Sequence, residues 1–166
     1  MTEEIRKVHL WRRFFARKID YILFFVVIGI PLIFMYPSIG ESKNSFVPLL
    51  IIFAWVFVEA PLLSLWGATP GKWLLEIKVR NADGSKLSFS QALDRSLSVW
   101  LKGIGIGLPP FTLITAAIAA RKLERDRITS WDKEGGFEVI HSRLIPIKIS
   151  LASLIIVGAI LLYTYS

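Results

Sequence analysis

The side chains with the clearest chemical potential in this 166-residue chain are Arg13, Arg17 and Asp20. On a helix their spacings of four and three place them on one face, around the small Ala16, so that a neighbouring helix can come close. Asp20 opens onto the apolar run Tyr21–Ile28, and four cations (Arg12, Arg13, Arg17 and Lys18) occupy the two turns before it. An ionisable group at the mouth of an apolar helix is costly unless paired or hydrated, which makes it a candidate for carrying an ion or a proton. The plainer reading is a fixed pair with Arg13 or Arg17 that sets a helix register. Glu59 is the single charge within Phe46–Trp66. At about 1.5 Å per residue, Asp20 lies roughly 24 Å and Glu59 roughly 20 Å from the outer ends of their helices. Two carboxylates at matched depth near Arg17 could share a proton, hold a cation, or form a static network.

Thr69-Pro70-Gly71-Lys72 invites comparison with a phosphate-binding loop. The spacing fails, because no glycine stands five residues before Gly71, and Trp73 replaces the Ser/Thr that would bind magnesium. A tight turn holding Lys72 at lipid headgroups is the expectation. Asp132 lies among cations and within conceivable reach of Arg13.

The elements that must position these groups are apolar and long. The chain is 54% hydrophobic with a mean hydropathy of +0.55, and its apolar residues cluster in runs, as in an integral membrane protein. Spans are expected at about 19–36, with a kink near Gly29 and Pro31, at 46–66 and at 147–165. Residues 90–120 form a further helical region, broken at 103–110 by three glycines and two prolines. An outright crossing there would put Arg121, Lys122, Arg125, Arg127, Lys133, Arg143 and Lys148 outside, against the positive-inside rule. A re-entrant hairpin shielded by protein resolves the conflict. Broken helices of this kind often border substrate sites.

The expected fold is therefore membrane all-α, three full transmembrane helices plus a broken or re-entrant helical hairpin, with a small cytoplasmic β sheet. That cap takes in about 73–90 and 136–141: Glu76–Arg80 alternates into an Asp83-Gly84 turn, Lys86–Phe89 returns, and Phe137–Ile140 adds a strand. Residues 1–18 are basic and expected to be cytoplasmic, which gives a multi-pass protein of the cell (inner) membrane. The net charge of +7 reads as anchoring to anionic lipid, and no nucleic-acid-binding pattern accompanies it. There is no cysteine, and His9 and His141 are the only histidines. No metal, cofactor or enzymatic role is expected, since neither HExxH nor a nucleophile motif occurs.

Assembled, these residues resemble the RDD family of small membrane proteins, named for one arginine and two aspartates. The matching positions are Arg13 in Arg13-Phe-Phe-Ala16, Asp20 after Ile19, and Asp132 in Ser130-Trp131-Asp132-Lys133. Thr69-Pro70-Gly71-Lys72 and the following Ile-Lys-Val-Arg-Asn-Ala-Asp-Gly are also similar, and the resemblance covers roughly 10–141. Trp131 stands where a histidine commonly precedes the later aspartate, and the helix after Pro146 lies beyond the usual core. The resemblance implies transport of an unspecified ligand, cation/proton exchange being one version. Asp20 and Glu59 are then the carriers, Arg17 the competing cation, and a homo-oligomer the working form. Asp20→Asn is expected to abolish transport while leaving the fold intact. The alternative is a non-catalytic scaffold or accessory protein that binds anionic lipid or a partner protein through its basic face.

Overall fold

The computed structural model describes residues 9–41, 46–104, 109–126 and 128–165. Helix α1 (Leu10–Phe24) continues through a π-helical segment (Phe25–Gly29) into α2 (Ile30–Met35). The expected kink thus takes the form of a π turn just before Pro31, whose missing N–H and bulky ring disturb the regular ladder. The helix begins at Leu10, ahead of the span expected from about residue 19, and so includes the face of Arg13, Arg17 and Asp20. A short α3 (Pro37–Gly40) follows, then α4 (Phe46–Trp66). Trp11–Met35 and Leu49–Trp66 are long and apolar enough to cross a membrane, and only 22% and 28% of these windows are buried. The core helix of a soluble protein would be mostly buried. Here Phe25, Val27, Phe34, Phe57 and Leu65 face outward instead.

After α4 come α5 (Pro70–Leu74), β1 (Ile77–Asn81) and α6 (Phe89–Ile104). They are followed by α7 (Pro109–Asp126), α8 (Ser130–Glu134), β2 (Phe137–His141) and α9 (Pro146–Tyr165). Helices α6 and α7 pack against each other, and α6 also packs against α4. Residues 105–108, the middle of the glycine-proline turn, lie outside the described residues. Helix α9 carries a shorter apolar run, Pro146–Leu162, and packs on α1 and α5.

The sheet differs from the expected hairpin. Lys86–Phe89 forms no strand; β1 pairs antiparallel with β2, with Val79 opposite Val139 at the centre. The local reason is a capping box at the start of α6. Ser88 Oγ accepts the Gln91 N–H at 3.3 Å, and Gln91 Oε1 accepts the Ser88 N–H at 2.8 Å. Those reciprocal bonds satisfy donors at the helix start and commit Ser88 to a cap instead of a strand.

The register exposes an internal two-fold. In each half a threonine (Thr69 or Thr129) precedes a five-residue helix, a C-cap, a residue at positive φ and a five-residue strand. Glu76 (φ 55°) and Gly136 (φ 66°) are the equivalent left-handed positions. The bonds obey the same relation: Ser142 N–H to Glu76 O at 2.9 Å matches Ala82 N–H to Gly136 O at 3.2 Å. Helices α4 and α7 end three residues before their respective threonines. The axis passes through the Val79–Val139 pair. One apolar cluster, containing Ala60, Leu63, Val79, Leu87, Ala92 and Phe137, lies at the sheet; another joins Ala16, Ile19, Leu74, Leu75, Ile77 and Ala152.

Candidate functional site

The first charged network joins α1 to α5. Asp20 is buried, and its carboxylate accepts the Thr69 hydroxyl at 2.5 Å and the Gly71 N–H at 2.7 Å. The Gly71 amide is one of the donors that a helix start leaves unpaired, and a side chain from another helix satisfies it. The fit requires glycine: a Cβ at Gly71 would stand 2.1 Å from the Ala16 carbonyl oxygen. The small Ala16 thus admits α5, as the spacing of the α1 face suggested.

Lys72 is not at a headgroup surface. It is buried, with its Nζ 2.7 Å from Glu59 Oε1, 3.3 Å from Thr69 Oγ1 and 3.9 Å from Asp20 Oδ2. Thr69 and Gly71 likewise serve as cap and backbone donors inside the bundle, not as an exposed loop. Arg17 Nη2 approaches Glu59 Oε1 at 3.4 Å, and Glu59, not Asp20, is its carboxylate partner. Asp20 and Glu59 are brought together, as their matched depths implied, but through Lys72. Glu59 Oε2 is buried with no hydrogen-bond partner among the described residues.

The second network surrounds Asp132. Its Oδ1 accepts from Arg95 Nε at 2.9 Å and Nη2 at 2.8 Å. Its Oδ2 accepts from Arg13 Nη1 at 3.1 Å and from the Thr129 hydroxyl at 2.6 Å. The Arg13–Asp132 pair had been expected; Arg95 had not. Its signal is periodic: Arg95 and Ser96 fall between Ala92 and Val99 on the buried stripe of α6, where a surface arginine would not lie. Arg12 also acts unannounced, donating to the carbonyls of Leu75, Glu76 and Ser142. It thereby ties the start of α1 to both strands at one end of the sheet, beside the Ile77–His141 pair.

The two networks occupy equivalent places with opposite sign. Three residues after each threonine stands a buried charge, Lys72 in one half and Asp132 in the other. Helix α1 meets the first with Asp20 and the second with Arg13, two turns apart on its buried face.

Between the networks lies a cavity of about 250 Å³, walled by α1, α6, α7 and the sheet. Arg13, Arg17, Lys18, Lys72 and Arg95 line it, together with Val99, Ala120, Leu123 and Val139. Among the described residues no three His, Asp or Glu side chains gather as a metal-ligand set.

His141, at the end of β2, is buried with its ring 5.5 Å from that of His9. Burial, then the neighbouring Arg13 and Arg12, push its pKa down to about 3. The folded state therefore keeps a neutral imidazole while the unfolded chain protonates below about 6.5. This contribution is fully present above pH 6.5 and is lost as pH falls towards 3. Thermal unfolding in detergent should show a lower Tm at pH 5 than at pH 7, and His141→Asn should flatten that difference. An unchanged difference in the variant would assign the pH effect to other groups.

A helical bundle with two membrane-length apolar spans, closed at one end by a two-stranded ribbon and two buried ion networks, defines the class of this protein. The model of the RDD family matches residues 7–136, and the chain belongs to that family. No curated protein and no solved structure matches it. Arg13, Asp20 and Asp132, which carried the resemblance, all lie in the two networks.

Proposed function

We propose that this chain is a multi-pass protein of the cell (inner) membrane, its N-terminus cytoplasmic, that transports a small solute coupled to protons. Asp20 and Glu59 are the proton-binding carboxylates, Arg17 and Lys72 the cations that compete with the proton, and a homo-oligomer is the working form. The observation that carries this reading is Glu59: buried, with Oε1 shared by two cations and Oε2 without a partner among the described residues. A half-satisfied buried carboxylate can accept a proton, and doing so would release Lys72 and Arg17 towards the cavity that both line. Cation-for-proton exchange is the first version to test. A second reading, a scaffold that binds anionic lipid or a partner protein, is favoured by the exposed cations Lys78, Lys86, Arg121, Arg125, Lys133 and Arg143 at the charged end.

The test is a proteoliposome assay of wild type beside Glu59→Gln, with an imposed proton gradient and lumenal pH followed as sodium, potassium or lithium is added. Cation-dependent proton movement that disappears in the variant supports exchange at Glu59. Flat traces from folded wild type remove the exchange version and shift weight to the basic face.

A further inference from the structure

The cavity between the two networks has a charge that the networks themselves do not balance. Five cationic residues line it, Arg13, Arg17, Lys18, Lys72 and Arg95, and none of its described lining residues carries a carboxylate. The carboxylates that meet these cations are Asp20, Glu59 and Asp132. Three negative charges against five positive leave an excess of two, one of the five cations being the solvent-exposed Lys18.

Donors are also left over. Arg95 is 5% exposed, and its Nη1 has no hydrogen-bond partner among the described residues; Arg13 Nε is buried and equally unpartnered. Asp132 already occupies the other face of each guanidinium. A buried guanidinium N–H without an acceptor is expensive, and its natural acceptor is an oxyanion. The rest of the wall is mostly apolar and includes Val99, Ala120 and Leu123, with Tyr21 and Thr129 among its polar members.

We propose that this cavity binds a phosphomonoester dianion, with the free N–H groups of Arg13 and Arg95 as donors and the apolar wall around whatever the phosphate bears. The excess of two charges matches a phosphomonoester, which carries about −1.5 to −2 at pH 7, better than a carboxylate or a phosphodiester. The phosphate comes either from a lipid of the phosphatidate type or free from solution. The inference goes beyond the transport reading, because the cavity holds the anion whether or not anything is moved.

The experiment uses the full chain in detergent, with Tm followed during titration by inorganic phosphate, dihexanoyl phosphatidate, and dihexanoyl phosphatidylcholine as the zwitterionic control. Saturable stabilisation by a phosphomonoester probe, absent with the control, is expected. Arg95→Gln should weaken it about tenfold, the value of one charge-assisted hydrogen bond. Because that change also disturbs Asp132, Ala120→Phe is the second variant: it fills the cavity from α7 and leaves every ion pair in place. It should abolish saturation while the ligand-free Tm stays near that of wild type. Preference for phosphatidate over inorganic phosphate assigns a lipid source, and equal affinity assigns a soluble one. No saturable shift with either probe, or a shift unchanged in Ala120→Phe, overturns the proposal and leaves the transport assay unaffected.

Discussion

Replacing Asp132 by alanine is expected to destabilise the protein by about 3–5 kcal/mol, the usual cost of removing one partner from a buried ion pair. Asp132 holds two guanidiniums and the Thr129 hydroxyl at once. Without it, Arg95 at 5% exposure and the mostly buried Arg13 would confront each other with no anion between them. Chemical unfolding in mixed micelles measures the loss. The cause can be separated from lost packing by adding Arg95→Met, which removes one stranded charge and should recover part of the stability. If the double variant is instead as unstable as the sum of the two single ones, unpaired charge is not the reason. Lys102–Glu134 supplies the contrast. Both partners are substantially exposed, and its removal should cost no more than about 0.5–1 kcal/mol.

Asp20→Ala should be comparably severe, again about 3–5 kcal/mol. It strands the Thr69 hydroxyl and the Gly71 N–H and takes from Lys72 the second of its carboxylates. Asp20→Asn should cost clearly less, because its amide oxygen can still accept the Gly71 N–H and Lys72 keeps Glu59 at 2.7 Å. The ordering, alanine worse than asparagine and asparagine worse than wild type, is read from the same unfolding midpoints. Wild-type stability in Asp20→Ala would show that the α1–α5 joint contributes little. The expectation that Asp20→Asn spares the fold thus becomes a matter of degree: the side chain is a structural joint as well as a candidate proton carrier.

Much of this arrangement was legible in the chain. The spacing of Arg13, Ala16, Arg17 and Asp20 identified a face that meets another helix, and the matched depths of Asp20 and Glu59 brought them to one network. Glycine and proline placed the π turn before Pro31, while residues 105–108 of the glycine-proline turn lie outside the described residues. Lys72 escaped because Thr-Pro-Gly-Lys has the composition of an exposed turn, and nothing local says that a lysine there will be covered by α1. Arg95 stands among polar neighbours such as Asp94 and Ser96, and only its spacing to Ala92 and Val99 puts it on the buried stripe. The strand at Phe137–His141 was visible, but an adjacent return strand seemed the nearer partner; the capping box at Ser88 and Gln91 decided against it. The internal two-fold could not be read at all. Over Thr69–Asn81 and Thr129–His141 the two copies share only the threonine and the central valine, because the repetition lies in backbone conformation and tolerates opposite charges.

The opposed charges on α1 bear on how the molecule is made. Helix α1 is synthesised before its partners: Asp20 finds its threonine 49 residues later and Arg13 its aspartate 119 residues later. At the usual pace of translation the second interval is on the order of ten seconds. Through that time α1 carries an unmatched cation, and for part of it an unmatched anion as well. Helix α1 is thus placed early and locked late, and a chain that stopped after β1 would have closed only one of its two joints.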